Sequence, residues 1–349
     1  MKLNNKRTIL VGLAFLSICA FWQMYDSIVP LILTKTFHMN ETFSGAIMAA
    51  DNILALFLLP FFGSVSDKSH SKLGKRMPFI LFGTGCAIIL MNILPLLDNS
   101  YAAQPSGFKT ASFVIVLGLL LVAMGTYRAP AVALMPDVTP KPLRSRANAI
   151  INLMGAVGGI LYLALAAVLY PASRKVAGHV DYQPLFIIVS LIMAVSVLAL
   201  ALTVKEKRLS EENRALEKQH PDWNLAAKDE SGNEVLPKEV KRSLTFLLAS
   251  ISLWFIAYNG VTTWFTKYIE QVMGEGLGGA STCLLVATAG AICSYIPIGA
   301  LAAKIGRKRT IQLGVALLTL CFLLGFVLTC TSSVITPVMY VVFALVGLA

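Results

Sequence analysis

The chain has 349 residues, of which 56% are hydrophobic and 13% charged, against roughly 25% charged in an average soluble domain. Its mean hydropathy is +0.73. That composition lacks the polar surface of a soluble enzyme or a nucleic-acid binder, and it is too apolar for a disordered scaffold. The formal net charge is +11, and its distribution along the chain decides its meaning.

A membrane-crossing helix needs about 20 mostly apolar residues, because the hydrocarbon core is about 30 Å thick and each residue rises about 1.5 Å. Ten runs qualify as spans in chain order: 8–33, 43–65, 78–97, 110–136, 145–170, 183–204, 244–269, 278–303, 310–330 and 334–349. The first follows a basic head, as a secretory leader does, but its apolar stretch runs on to Leu33 and reads as span 1. Cys19, Cys86, Cys283, Cys293, Cys321 and Cys330 sit inside apolar runs without CxxC or Cys/His spacing. They read as buried thiols, and no metal or cofactor is expected.

Basic residues set the orientation. The head carries three Lys/Arg, loop 2–3 four, loop 4–5 three, segment 205–243 nine and the stretch after span 8 four, which is 23 of 29 on one side. The alternate loops carry five (Lys35, Lys109, Arg174, Lys175, Lys267), and Arg128 lies inside span 4. The rule therefore places the N-terminus in the cytoplasm of a multi-pass cell-membrane protein. The positive charge reports topology, so no nucleic-acid partner is expected. Segment 205–243 balances nine Lys/Arg with nine Asp/Glu and includes EKRLSEENRALEKQH, which suits a short charged helix. It reads as a cytoplasmic linker between an N-terminal six-helix bundle, 1–204, and a partial C-terminal bundle, 244–349.

An internal repeat supports two bundles. PFFGSVSDKSHSKLGKRMPF after span 2 matches PIGALAAKIGRKRTI after span 8, with Gly63 and Gly299, and Lys68 and Lys304, each 236 residues apart. Gly74-Lys75-Arg76 corresponds to Gly306-Arg307-Lys308. WQMYD in span 1 has a weaker echo, WFIAYN, in span 7; chance likeness of apolar runs is the alternative there. Transporters place a midplane substrate site between two such halves.

The GxxxDKxx…GKR segment resembles the cytoplasmic loop motif of the major facilitator superfamily. SDKSHSKLGKRMPFI is similar, more specifically, to the sucrose transporters and related glycoside–cation symporters. Span 4 into span 5 resembles them too, through Pro130, Ala133-Leu134, Asp137, Arg146 and Ala147-Asn148. Sucrose transporters carry an Arg just before the AL pair, where this chain has Val132; Arg128, one turn earlier on the same face, is the substitute. The resemblance implies an all-α integral membrane fold of two pseudo-symmetric bundles, with about ten of twelve helices present. By the repeat spacing the chain stops inside the counterpart of span 4, leaving out spans 11 and 12 and about 90 residues of the second bundle. The expectation that follows is that this chain does not transport by itself.

Ionisable groups inside spans are costly and are read first as functional. Asp26 in span 1, Asp51 in span 2 and Arg128 in span 4 are the candidates for ion coupling. A salt bridge between an acid and Arg128, broken by substrate, would let the acid take up a proton. The resemblance implies that role for a helix 1 Asp and a helix 4 Arg; a fixed structural ion pair is the alternative. By resemblance, Gly63, Asp67, Lys68, Gly74, Lys75, Arg76, Asp137 and Arg146 form a cytoplasmic gate that steadies the contact between bundles, or else the basic residues only orient the chain. Lys267 and Glu270, three apart, read as an ordinary surface pair.

Sugars are held by hydroxyl-directed polar groups and aromatic faces. Trp22, Gln23 and Tyr25 neighbour Asp26, and Asn52 neighbours Asp51. Asn148 and Asn152 share a face of span 5, as Trp254, Tyr258 and Asn259 do on span 7. Any of them instead faces lipid or a neighbouring helix. Trp264 and Tyr268 read as interfacial anchors, and Gly155 with Gly159 as a GxxxG packing step. The expected function is import of a sugar or glycoside with protons, in the lipid bilayer, by alternating access. Sodium coupling, solute efflux and a non-transporting or truncated membrane component are the alternatives. No nucleophile–base set or phosphate loop supports an enzyme.

Overall fold

The computed structural model describes residues 3–171, 178–220, 223, 238–274, 277–331 and 336–349, and leaves aside the side chains of 145, 238–239, 295–296, 299–300, 302–304 and 307. Much of the linker, Arg174 and Lys175, and the side chains of Lys304 and Arg307 from the second repeat copy therefore lie outside the described residues. The elements are α1 (Asn5–Leu31), a π turn (Ile32–Thr36), α2 (Glu41–Lys68), α3 (Met77–Ala103), α4 (Gly107–Val138), α5 (Arg144–Leu169), α6 (Gln183–Thr203), α7 (Glu206–Gln219), α8 (Lys238–Met273), α9 (Leu277–Ile305), α10 (Arg307–Thr331) and α11 (Pro337–Leu348). Among the described residues nine helices are long and apolar enough to cross a membrane, and Pro337–Leu348 is a shorter apolar helix.

α1 is the axis of the first group. It packs on α5 and α6, while α3 packs on α4 and α6, and α2 on α4. One apolar cluster, including Phe21, Met91, Met124, Tyr162 and Phe186, runs through these helices. A second, smaller cluster joins Phe265, Ile269 and Met273 of α8 to Ala280 and Cys283 of α9 and Met339 of α11. Outward-facing apolar residues such as Leu191, Val195, Leu198 and Leu202 on α6 are exposed, as lipid-facing positions are. Cys293 and Cys330 are exposed as well, which corrects the reading of all six cysteines as buried.

Lipid tails are as apolar as leucine, so helix association rests on close packing and internal polar bonds rather than on escape from water. The polar bonds are visible. Tyr127 Oη of α4 donates to the Ala14 carbonyl of α1 at 2.9 Å and lies 2.5 Å from Ser17 Oγ. Asn92 Nδ2 of α3 donates to Ser190 Oγ of α6 at 2.6 Å.

The α1–α5 contact brings two backbones close together at glycines, but not at the pair the GxxxG reading names. A Cβ on Gly155 would stand 2.9 Å from Cys19 Sγ, and one on Gly158 would strike the Leu16 carbonyl, while Gly159 meets only Gln23 Oε1 at 3.9 Å. The working pair is Gly155 and Gly158. Gly158→Ala is therefore expected to lower stability by about 1–3 kcal/mol, the usual cost of forcing extra volume into a packed contact. Gly159→Ala is expected to be nearly silent. Thermal unfolding of the two variants in detergent decides it, equal midpoints counting against this packing.

Candidate functional site

α1 carries Trp22, Tyr25 and Asp26 in consecutive turns beside α4, and the Tyr127–Ala14 bond fixes the two helices one residue away from Arg128. The Arg128 guanidinium lies 5.6 Å from the centre of the Trp22 ring, within cation–π range. Trp22 and Tyr25 meet edge to face at 5.3 Å, and Phe21 stacks on Tyr25. Asp26 is half-buried and feels the charge of Asp51 on α2; Asp51 in turn feels Arg128. Asn52 donates to Asp51 Oδ1 from its side chain at 2.8 Å and its backbone at 2.6 Å.

The structure thus gathers Trp22, Tyr25, Asp26, Asp51, Asn52 and Arg128. It does not form the expected salt bridge. Among the described residues no nitrogen of Arg128 comes within 4.0 Å of a carboxylate oxygen of Asp26 or Asp51; the indole face takes the guanidinium instead. Two donors of the cluster, Trp22 Nε1 and Tyr25 Oη, are buried without a hydrogen-bond partner among the described residues. Gln23 turns away toward Gly159 of α5. Asn148 and Asn152 are exposed one turn apart on α5. Trp254 and Tyr258 stack at 5.3 Å, and with Asn259 they lie in the stretch 240–261 of α8, where every residue is exposed.

At the end of the molecule that holds α7, Arg76 is the hub. Its side chain is 6% exposed. It donates to Asp137 Oδ2 at 2.9 Å, to Ser66 Oγ at 2.5 Å, to the Gly63 carbonyl at 3.3 Å and to Asp67. Lys75 Nζ donates to the Asp67 carbonyl at 3.0 Å. A fork of fixed N–H groups is what lets one arginine tie α2, α3 and α4 together.

Three features of this network differ from the sequence reading. Among the described residues its bonds lie within the first six helices and α7 and none reaches the second group, where 240–261 of α8 is exposed. Lys68 and Arg146 are exposed and outside it; Arg144 takes part, donating to Glu217 Oε1 at 2.8 Å and to the Pro136 and Thr139 carbonyls. Glu206, which reads as a solvated linker charge, is 1% exposed and accepts from the backbone N–H groups of Lys75 (2.7 Å), Arg76 (2.8 Å) and Met77 (2.8 Å). Gly74, at φ +123°, wraps the loop so closely around this carboxylate that a Cβ would collide with it. Nothing in the sequence pairs a linker acid with a loop some 130 residues earlier; Gly74 reads there only as part of the loop motif.

The opposite end is closed by two ion pairs that join the first group to α8. Lys35 of the π turn bonds Glu270, and Lys267 bonds Glu41 of α2 at 2.9 Å. Lys267 and Glu270 are therefore not a local surface pair; each reaches across to a different helix. Lys267 is 7% exposed whereas the Glu41 side chain is 73% exposed, so solvent screens the pair from its acidic side. Lys267→Glu, which sets a second negative charge beside Glu41, is expected to raise amide exchange around 37–43 and 266–274 measurably. Glu41→Lys combined with Lys267→Glu should return exchange toward that of the parent. Failure of the swap to restore protection would assign the effect to packing rather than charge.

The arrangement is that of a multi-pass α-helical membrane protein whose two helix groups meet at one end and part at the other, with a half-buried charged cluster on α1, α2 and α4. Residues 11–349 match the family model of the Major Facilitator Superfamily, and the chain belongs to that family. It is 35% identical over 152 residues to sucrose transport protein SUC3 of Arabidopsis thaliana, covering 40% of this chain and 25% of that protein. It is 36% identical over 154 residues to sucrose transport protein SUT3 of Oryza sativa subsp. indica, covering 40% and 30%. The matched stretch thus spans less than a third of these curated relatives. In fold it resembles a D-xylose–proton symporter (TM-score 0.66, 12% identity, 98% of this chain and 78% of that one). It also resembles the nucleoside transporter NupG (TM-score 0.56, 14% identity, 99% and 78%).

Proposed function

We propose that the chain is the core of a secondary active transporter that carries a sugar or glycoside together with a proton across the cell membrane by alternating access. The observation that carries this reading is the cluster on α1, α2 and α4. Trp22 Nε1 and Tyr25 Oη are buried donors with no partner among the described residues, beside aromatic faces, two carboxylates and a guanidinium. Hydroxyl-rich ligands answer unpaired donors and aromatic faces together. Asp26 supplies a carboxyl to carry the proton at the same place, with Asp51 as a neighbouring charge.

On this reading residues 1–204 and 244–349 are the two moving bundles and 205–243 joins them on the cytoplasmic side, as the 23 basic residues on that side suggest. The end held by Lys35–Glu270 and Glu41–Lys267 then faces outward, and the exposed stretch of α8 faces the cytoplasm. The likeness to sucrose transport proteins supports a sugar as the substrate class. The test is a panel of sugars and glycosides titrated into the purified protein with tryptophan fluorescence as readout, against Trp22→Phe. Flux of the tightest binder into vesicles under a proton or a sodium gradient follows. Saturable binding that Trp22→Phe weakens supports the site; no response to any sugar removes it. A flux driven only by sodium reassigns the ion.

A further inference from the structure

The start of α1 is charged against its own electrostatics. The N-terminus of a helix carries a partial positive charge and favours acids in its first turn. α1 has no acid there and instead places Lys6 and Arg7 in that turn. These two side chains line a cavity of about 360 Å³ whose other walls are the end of α6 and the first turns of α7. Lys205 and Arg208 add two more positive charges. The single acid lining it, Glu212, is already bonded to Arg208 at 2.8 Å. Among the described residues the side chains of Lys6, Arg7 and Lys205 have no ion-pair partner, so the cavity holds a surplus of positive charge that the protein does not balance.

The position of the cavity narrows what balances it. α1 and α6 both enter the membrane from this point. Below the basic rim the lining becomes apolar at Leu10 and Leu209, and Ile9, Leu198 and Leu202 are exposed on the adjoining helix surfaces. A ring of cations above an exposed apolar strip matches a ligand with an anionic phosphate head and hydrocarbon tails. A free phosphate uses the rim but not the strip.

We propose that this cavity is a binding site for the phosphate headgroup of an anionic glycerophospholipid, with the acyl chains lying along the exposed apolar residues of α1 and α6. The site lies apart from the charged cluster of α1, α2 and α4, and bound lipid splints α7 to the first helix.

The full chain in neutral detergent micelles is titrated with phosphatidylglycerol, phosphatidylcholine and glycerol phosphate, and bound lipid is counted by native mass spectrometry. The proposal expects retention of phosphatidylglycerol over phosphatidylcholine and no comparable retention of glycerol phosphate. Lys6→Gln, Arg7→Gln and Lys205→Gln together should weaken phosphatidylglycerol about 10- to 100-fold. Lys6→Arg, Arg7→Lys and Lys205→Arg together should keep it. A control of equal charge loss, Lys72→Gln, Lys141→Gln and Arg146→Gln, should change it less than threefold. Equal losses in pocket and control variants would reduce the effect to general surface charge and overturn the site. Glycerol phosphate binding as tightly as the lipid would overturn the lipid assignment.

Discussion

Replacing Glu206 with alanine is expected to loosen the first turn of α7 from the first six helices and to fray the start of α3. The carboxylate receives the N–H groups of Lys75, Arg76 and Met77 at 2.7–2.8 Å, where α3 begins. These are donors that no earlier helical turn can satisfy. Alanine leaves all three without a partner in a spot that is 1% exposed at Glu206. An orphaned buried donor costs about 1–3 kcal/mol, so three of them cost about 3–9 kcal/mol before any relaxation. Lost attraction between the carboxylate and the α3 N-terminus adds to it.

The loss should be local. Asn213 donates to the Asp137 carbonyl at 3.1 Å and Glu217 accepts from Arg144, so α7 keeps two weaker attachments. Hydrogen exchange at amides 75–77 and through α7 should accelerate at least ~100-fold, the effect of about 3 kcal/mol. Gly74→Ala tests the same contact from its other side, since its added Cβ displaces the carboxylate without removing the charge. Glu206→Gln, which keeps an acceptor, should fall between. Unchanged protection in Glu206→Ala would mean that the loop holds itself and that Glu206 is incidental.

How far the sequence announces these features depends on the physical source of each. Hydropathy locates helices because apolar length is what a bilayer selects. The expected run 183–204 lies on Gln183–Thr203, and 43–65 lies inside Glu41–Lys68. Ends are less legible, since helix continues through polar residues. α8 begins at Lys238, six residues before its apolar run, and α1 passes into a π turn. The short charged helix in the linker is also legible, as α7. Its docking is not, because one carboxylate closing on three backbone N–H groups leaves no side-chain pattern. The ion pairs Lys35–Glu270 and Glu41–Lys267 are hidden for a similar reason: the partners lie more than 220 residues apart in the chain. Asp26, Asp51 and Arg128 stood out because charge inside an apolar run is rare. Their rarity marks a site without stating how its members pair, which is why Trp22, rather than an acid, turned out to hold the arginine.

Asp26→Asn is expected to uncouple sugar binding from pH. In the proposed symport, sugar and proton favour each other's binding, and that coupling is reciprocal. With Asp26 as the proton carrier, sugar affinity in the parent protein falls as pH rises through the titration of this carboxyl. The limit is tenfold per pH unit for one proton, about 1.4 kcal/mol per unit. Asparagine has nearly the same shape and cannot lose a proton, so it imitates the protonated form. The variant should bind sugar at high pH as well as the parent does at low pH, with a flat profile between. Its contacts with Trp22 and Tyr25 change little, because neither forms a hydrogen bond to Asp26 among those described. Asp51 is the internal control: Asn52 already donates to it twice, and it is read as the steadier charge facing Arg128. Asp51→Asn should shift the profile along the pH axis, through loss of a neighbouring charge, without flattening it. Fluorescence titrations across pH separate the outcomes without requiring flux. A flat profile in Asp51→Asn and a normal one in Asp26→Asn would exchange the two roles, and an unchanged slope in both would take the proton away from this cluster.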